Sequence, residues 1–258
     1  MRLVPGFATR LSSAGLVYKH FGREVVASLL SLPPSDPKVE AVYLRVYKSF
    51  MQAVDAIDNG VNQFGPDAVS LYENGTGLAS RVGRLNAPWN GDFSSPAQDA
   101  QFAKAVALTG AEFAEEVRYV AHVWLPGREP VASALAARHA AHPSGRILVL
   151  PSFCPWKEHL FELEAEQQLP ADALPLFVLF RDDASGSWRV STVPSAPGGG
   201  GFGFRRGLAT AWRGLRDDAL AAASGVAGAV FVHVAGFIGG ASTQEGALAM
   251  AVKSLELE

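Results

Sequence analysis

The chain has 258 residues, 48% of them hydrophobic and 18% charged, with a formal net charge of −3 and a pI near 6.1. That is enough for one large domain or two small ones with a real core. It excludes a global basic field that would gather nucleic acid, so a polyanion has to bind at a local patch or through a metal. The single cysteine, Cys154, excludes an internal disulfide and suits a reducing compartment. No apolar run is long enough to span a bilayer. The opening MRLVPGFATR lacks the apolar stretch of a secretory signal, so the expectation is an intracellular protein that makes no membrane contact.

Residues 11–32, LSSAGLVYKHFGREVVASLLSL, read as a helix with Ser12 or Ser13 as N-cap. PPSDP breaks it. Residues 38–58 read as a second helix with apolar positions at 42, 43, 46, 50, 54 and 57, closed by Asn59-Gly60. A short helical turn and a Pro- and Gly-rich loop follow over 78–96. Residues 97–125 read as a long helix ended by Pro126-Gly127, and 130–142 as one more.

The texture then changes. RILVLP, LPLFVLFR and SWRVSTVP are short and rich in β-branched residues, with ASG at 184–186 as a hairpin turn between the last two. GGGGFGF at 198–204 reads as a flexible loop and not a cofactor fingerprint, having no strand just before it and no clear helix after it. Residues 215–224 read as a helix, GAVFVHVAG at 228–236 as a buried strand, FIGGAS as a tight turn, and 243–256 as a final helix capped by Thr243. The fold class is therefore α/β: a helical half over 1–142, then a smaller mixed-sheet α/β domain over 143–258, with the strand at 229–234 expected between neighbours.

Asp55 and Asp58 raise a question. They stand at i and i+3 on the last turn of the second helix, where the helix dipole disfavours anions. Two readings stand: a metal ion reverses that cost, or both acids face water. In CPWKEH, Lys157 and His159 are candidates for phosphate contact, against a solvated Lys-Glu pair; Trp156 reads as core, and Cys154 as an inert thiol. WRGLRDD places Arg213 and Arg216 on one side of a helix start, suited to phosphate or to pairing with Asp217. Arg81 and Arg84, beside Asn86 and Trp89, line a cleft or cap carbonyls. In FIGGAS, Gly239, Gly240 and Ser242 before a helix form a candidate anion cradle.

The segments LSSAGLVYKHFG, AVDAIDNG, SRVGRLNAPWN, CPWKEHLFELE, WRGLRDDAL and FVHVAGFIGG, in this order, resemble the melanocyte-proliferating-gene exonuclease family, a branch of the DHH phosphoesterase superfamily. The resemblance runs from about residue 7 to 255. It implies a metal-dependent 3′–5′ exonuclease acting on RNA or a short oligonucleotide, two α/β domains, and a site in the cleft between them. It also implies two divalent cations, Mn²⁺ or Mg²⁺, with Asp58 of AID as a ligand and Asp55 as its support. Lys157, His159, Arg213, Arg216, Gly239, Gly240 and Ser242 become substrate-binding candidates.

The departures matter as much. The family's His-Asp-Gly-Thr-Phe-His-Cys-Asp-like segment and its Asp-His-His triplet do not occur, and the glycines are followed by Ala241 and Ser242 where the family has His. The expectation is a chain equivalent to the C-terminal two-thirds of the family. It should be inactive alone, with the faces of its first helices uncovered and prone to self-association. Alternatives are a non-catalytic remnant binding RNA or a protein, and a shortened reading of a full exonuclease gene. The resemblance leaves nucleus, cytoplasm and mitochondrion open as compartments.

Overall fold

Ser12 starts the first helix, α1 (Ser13–Leu30): its hydroxyl accepts the Gly15 N–H. This is seen in a computed structural model, which describes residues 2–257 apart from 4, 5, 66, 68, 70, 71 and 199–202. The tip of the glycine-rich stretch 198–204 therefore lies outside the described residues. The chain divides into two units, Met1–Leu125 and Pro126–Glu258.

In the first unit, Asp36 caps α2 (Pro37–Val46), with proline in the first turn where its missing N–H costs nothing. The rod continues through a π-helical turn, Tyr47–Met51, into α3 (Gln52–Asp58). The expected helix over 38–58 is thus one rod with a widened turn. It ends as expected: Asn59 donates from Nδ2 to the Asp55 carbonyl at 2.8 Å and to that of Arg10 at 3.0 Å, and Gly60 takes φ +67°. Then come α4 (Leu78–Gly83) and the long α5 (Ser95–Tyr119), which runs on through a second π turn, Val120–Trp124.

The core of this unit joins Val39, Val42, Tyr43, Val46 and Tyr47 of the rod to Tyr18 and Val26 of α1 and Val117 and Val120 at the end of α5. Tyr18 stacks on Tyr43 with ring centroids 4.8 Å apart and planes at 7°. Its hydroxyl donates to the Tyr43 carbonyl at 2.9 Å. The other face of α1 turns outward with Leu16, Val17, Phe21 and Val25 exposed.

The second unit is a five-stranded sheet with helices on both faces. It comprises α6 (Arg128–Ala136), α7 (Arg138–Ala141), β1 (Ile147–Leu150), α8 (Trp156–Glu166), β2 (Phe177–Arg181), β3 (Trp188–Thr192), α9 (Asp217–Ser224), β4 (Ala229–Val232), β5 (Ile238–Ala241) and α10 (Gln244–Glu256). The strand order is β1-β2-β3-β5-β4, with β1 parallel to β2 and every other pair antiparallel. Successive residues of β2 serve opposite faces. Phe177 and Leu179 join Val190, Leu220 and Met250 on one side, while Val178 and Phe180 join Leu135, Leu148, Trp156 and Leu160 on the other. Burial on both faces is why FVLF reads as a continuous apolar run. The β2–β3 hairpin turns where ASG was expected to turn it, with Gly186 at φ +70°.

Three expectations need correcting. The division falls at 125/126, not after 142, because α6 packs on β1 and α8, and α7 packs on β1. The strand at 229–232 is at the edge of the sheet, with β5 as its neighbouring strand. Its outer side is shielded by 214–216 through an Arg216–Phe231 bridge, with the Gly214 N–H donating to the Val232 carbonyl at 3.0 Å. FIGGAS is not a tight turn: Gly239 and Gly240 sit in β5, inside the sheet. The turn is made one step earlier, at His233–Gly236, where the Gly236 N–H donates to the His233 carbonyl at 2.8 Å.

Candidate functional site

The two aspartates part company. Asp55 is fully buried. Its Oδ1 accepts the Ser12 N–H at 2.9 Å and the Ser12 hydroxyl at 2.7 Å, and its Oδ2 accepts the Tyr47 hydroxyl at 2.8 Å. The anion at the end of α3 is thus placed against the start of α1, where the positive end of a helix dipole offsets the cost of its own position. Burial, and then the hydrogen bond to Asp55, push the Tyr47 hydroxyl pKa well above its ordinary value. Gly15 completes the arrangement. A Cβ there would overlap the Asp55 carboxylate, so only glycine fits.

Asp58 is exposed and lines a hollow of about 710 Å³ with Ser49, Asn74, Arg81 and Glu112. Glu112 is ion-paired with Arg81. Arg84 donates to the Gly75 carbonyl at 2.8 Å, which is the carbonyl-capping reading of that arginine. Among the described residues, no three His, Cys, Asp or Glu side chains gather where they could hold a metal ion. The acids present do not fit a two-cation centre. Asp55 is committed to Ser12 and Tyr47, and Glu112, which lines the same hollow as Asp58, is paired with Arg81.

In the second unit, α8 separates two candidates. Lys157 is exposed on its first turn and lines a cavity, whereas His159 is fully buried, with Nδ1 3.7 Å from a Glu162 carboxylate oxygen. Trp156 is core, as its neighbours in the sequence suggested. Burial pushes the half-buried Cys154 thiol up from its ordinary pKa, which favours the protonated form over the reactive thiolate.

Arg213 and Arg216 do not share a helix face. Arg213 follows a short 3₁₀ turn, Thr210–Trp212, and its Nε donates to the Leu208 carbonyl at 3.2 Å. It lies across Gly207 and Gly236, each too close to it for a Cβ. Arg216 is exposed at the N-cap of α9, 5.8 Å from the centroid of the Phe231 ring. Gly239 and Gly240 are buried. A Cβ on Gly239 would stand 2.9 Å from Leu208 and from the Phe231 carbonyl, and one on Gly240 would stand 2.9 Å from the Phe231 ring. Their small size serves packing between strands and covering residues. Ser242 is exposed, and its N–H donates to the Gly228 carbonyl at 2.8 Å just before Thr243 caps α10. His233 is half-buried in the turn after β4 and accepts the Ala235 N–H at 3.1 Å.

Sequence reasoning did not single out Phe161, Ser191, Phe204 and Phe237, which surround the cavity that Lys157 lines. Only Ser191, a small hydroxyl residue between Val190 and Thr192 of a strand, carried even a weak signal. Among the described residues, no helix is long and apolar enough to cross a membrane.

The family model MYG1_exonuc, described as an uncharacterised protein family (UPF0160), matches residues 2–255. The chain is 44% identical to a MYG1 protein of Caenorhabditis elegans, over 97% of this chain and 72% of that protein. It is 42% identical to a MYG1 protein of Saccharomyces cerevisiae, over 96% of this chain and 74% of that one. It is 43% identical to the MYG1 exonuclease of Homo sapiens, over 98% of this chain and 66% of the human protein. No solved structure gives a significant match. By a match that takes in nearly every residue, this chain belongs to the MYG1 exonuclease family.

Proposed function

We propose that this chain is part of a metal-dependent 3′–5′ exonuclease acting on RNA ends or short oligonucleotides, with Mn²⁺ or Mg²⁺ as the cation, and that it is hydrolytically inactive alone. Membership of a family whose mammalian relatives are named exonucleases supports the activity class. The observation that carries the second half is the setting of Asp58. It is an exposed carboxylate at the unfavourable end of a helix, in a roomy hollow where Glu112 is ion-paired with Arg81. Asp58 is suited to be one ligand of a centre whose remaining ligands these residues do not supply. A hard cation needs several oxygen ligands in a fixed geometry, and one carboxylate binds Mg²⁺ weakly.

The test is hydrolysis of a 3′-labelled RNA by the purified chain in Mn²⁺ or Mg²⁺, beside Asp58→Ala. Equal, background-level rates are expected. Metal-dependent hydrolysis that Asp58→Ala abolishes would overturn the reading. The outward face of α1 supports self-association as a companion proposal, since Val17 is 59% and Phe21 55% exposed. Sedimentation velocity should show oligomers that Phe21→Glu shifts towards monomer, and an unchanged distribution refutes it.

A further inference from the structure

The cavity beside Lys157, about 400 Å³ in volume, lies wholly within the second unit, between the first turns of α8, the end of β3 and the turn before β5. That volume suits a small molecule. Ser191 lines it from β3. It is only 8% exposed, so its hydroxyl is recessed in the cavity wall. The adjacent Thr192 is different, for its hydroxyl donates to the Phe237 carbonyl at 3.0 Å. A recessed hydroxyl in a cavity wall can donate to or accept from a polar group that enters the cavity.

Lys157 supplies a cation whose Nζ lies 5.9 Å from the centroid of the Trp156 ring; Glu158 lines the same cavity, so an anion has to approach from the lysine side. Arg205, which lies over Phe161 at 4.8 Å, is not available in the same way. It is held bidentately by Glu164, both bonds at 2.7 Å. The apolar walls are three half-buried rings, Phe161, Phe204 and Phe237. Rings that accept a flat heterocycle, an ammonium that accepts an anion, and a recessed hydroxyl that can bond a polar edge meet in one cavity.

We propose that this cavity binds a nucleoside monophosphate, the ring between the phenylalanines, the phosphate on Lys157, and Ser191 bonding a polar group of the nucleoside. The choice of a nucleotide as the flat anion rests on the exonuclease reading; the cavity's chemistry does not. The ligand is then the terminal nucleotide of the substrate or the released product.

The experiment is calorimetric titration of the intact chain with AMP, adenosine and inorganic phosphate, without metal and without hydrolysis, so its outcome is independent of the RNA assay. AMP should bind, and inorganic phosphate should bind at least about tenfold more weakly, since it lacks the stacking ring. Lys157→Ala should weaken AMP by about tenfold or more and leave adenosine unchanged. Lys157→Arg should restore most of the loss. Ser191→Ala should weaken both AMP and adenosine, with the circular dichroism spectrum unchanged. No AMP binding at millimolar concentration, phosphate binding as tightly as AMP, or AMP affinity indifferent to Lys157→Ala would each overturn the assignment.

Discussion

Asp55 closes the start of α1 through Ser12, one carboxylate oxygen taking both the backbone N–H and the hydroxyl of that serine, at 2.9 and 2.7 Å. Ser12 in turn accepts the Gly15 N–H, so a single residue relays the buried charge into the first turn of a helix. The anion that looked misplaced at the C-terminus of α3 is correctly placed at the N-terminus of α1. It needs no metal to explain it.

Asp55→Ala leaves the Ser12 N–H and the Tyr47 hydroxyl buried without their acceptor. The expected loss is about 3–5 kcal/mol, the usual cost of removing one member of a buried charged network. Asp55→Asn keeps the size but not the charge, and should lose about 1–3 kcal/mol. Urea unfolding followed by circular dichroism reads both. The losses should be the same in EDTA and in Mn²⁺; a loss seen only with metal present would make Asp55 a ligand instead.

Gly15→Ala ought to stabilise α1 by propensity alone, by about 1 kcal/mol. Here it should destabilise, because the new methyl meets the Asp55 carboxylate. A double-mutant cycle decides the cause. In the Asp55→Ala background the penalty of Gly15→Ala should largely vanish. A penalty of equal size in both backgrounds would place the strain elsewhere.

In the second unit, the Arg205–Glu164 pair is nearly buried, with side chains 12% and 6% exposed. Arg205 also donates to the Pro175 carbonyl at 3.0 Å and so ties α8 to the approach of β2. Glu164→Leu or Arg205→Met should each cost about 3–5 kcal/mol in thermal or chemical unfolding, because each strands the other charge. The combined Glu164→Leu, Arg205→Met chain should be more stable than either single variant. Simple additivity would contradict this.

Burial raises the Cys154 thiol above its ordinary pKa. At a given pH it therefore holds less thiolate than a free cysteine, and thiolate is the reacting form. Alkylation by iodoacetamide at pH 8 should be slower than for free cysteine, and the rate should keep climbing at pH values where the free thiol has levelled off. A rate equal to that of free cysteine at pH 8 would show that the thiol is not shielded.

The helical unit was legible because its signals are local. Ser12, the apolar spacing over 42–46, and Asn59-Gly60 each act within a turn or two of the chain. The identity of β2 was equally plain from FVLF. What the sequence hid depends on distant partners. Gly239 and Gly240 read as a turn because glycine usually marks one, yet they are strand residues kept small by Leu208 and Phe231. The edge position of β4 depends on which strand β5 chooses. Residues 128–141 have helical texture and so read as part of the helical half, but their apolar residues Val131 and Leu135 are claimed by Leu148 and Trp156. For the candidate site, the ordered motifs revealed the family, while Asp55 was opaque because its partner at Ser12 stands 43 residues away. The cavity was invisible because four of its walls come from separate segments.

The place of α10 in the chain sets a schedule for folding. Ala247, Met250 and Ala251 cover the face of the sheet that carries Phe177, Leu179 and Val190, and Arg206 fastens to the Ser254 and Leu257 carbonyls. During synthesis the helical unit can close as soon as α5 emerges. The sheet must wait with one apolar face open until residues 244–256 have left the ribosome. That interval is when the chain is most exposed to aggregation, and it is the stage at which a chaperone would have something to hold.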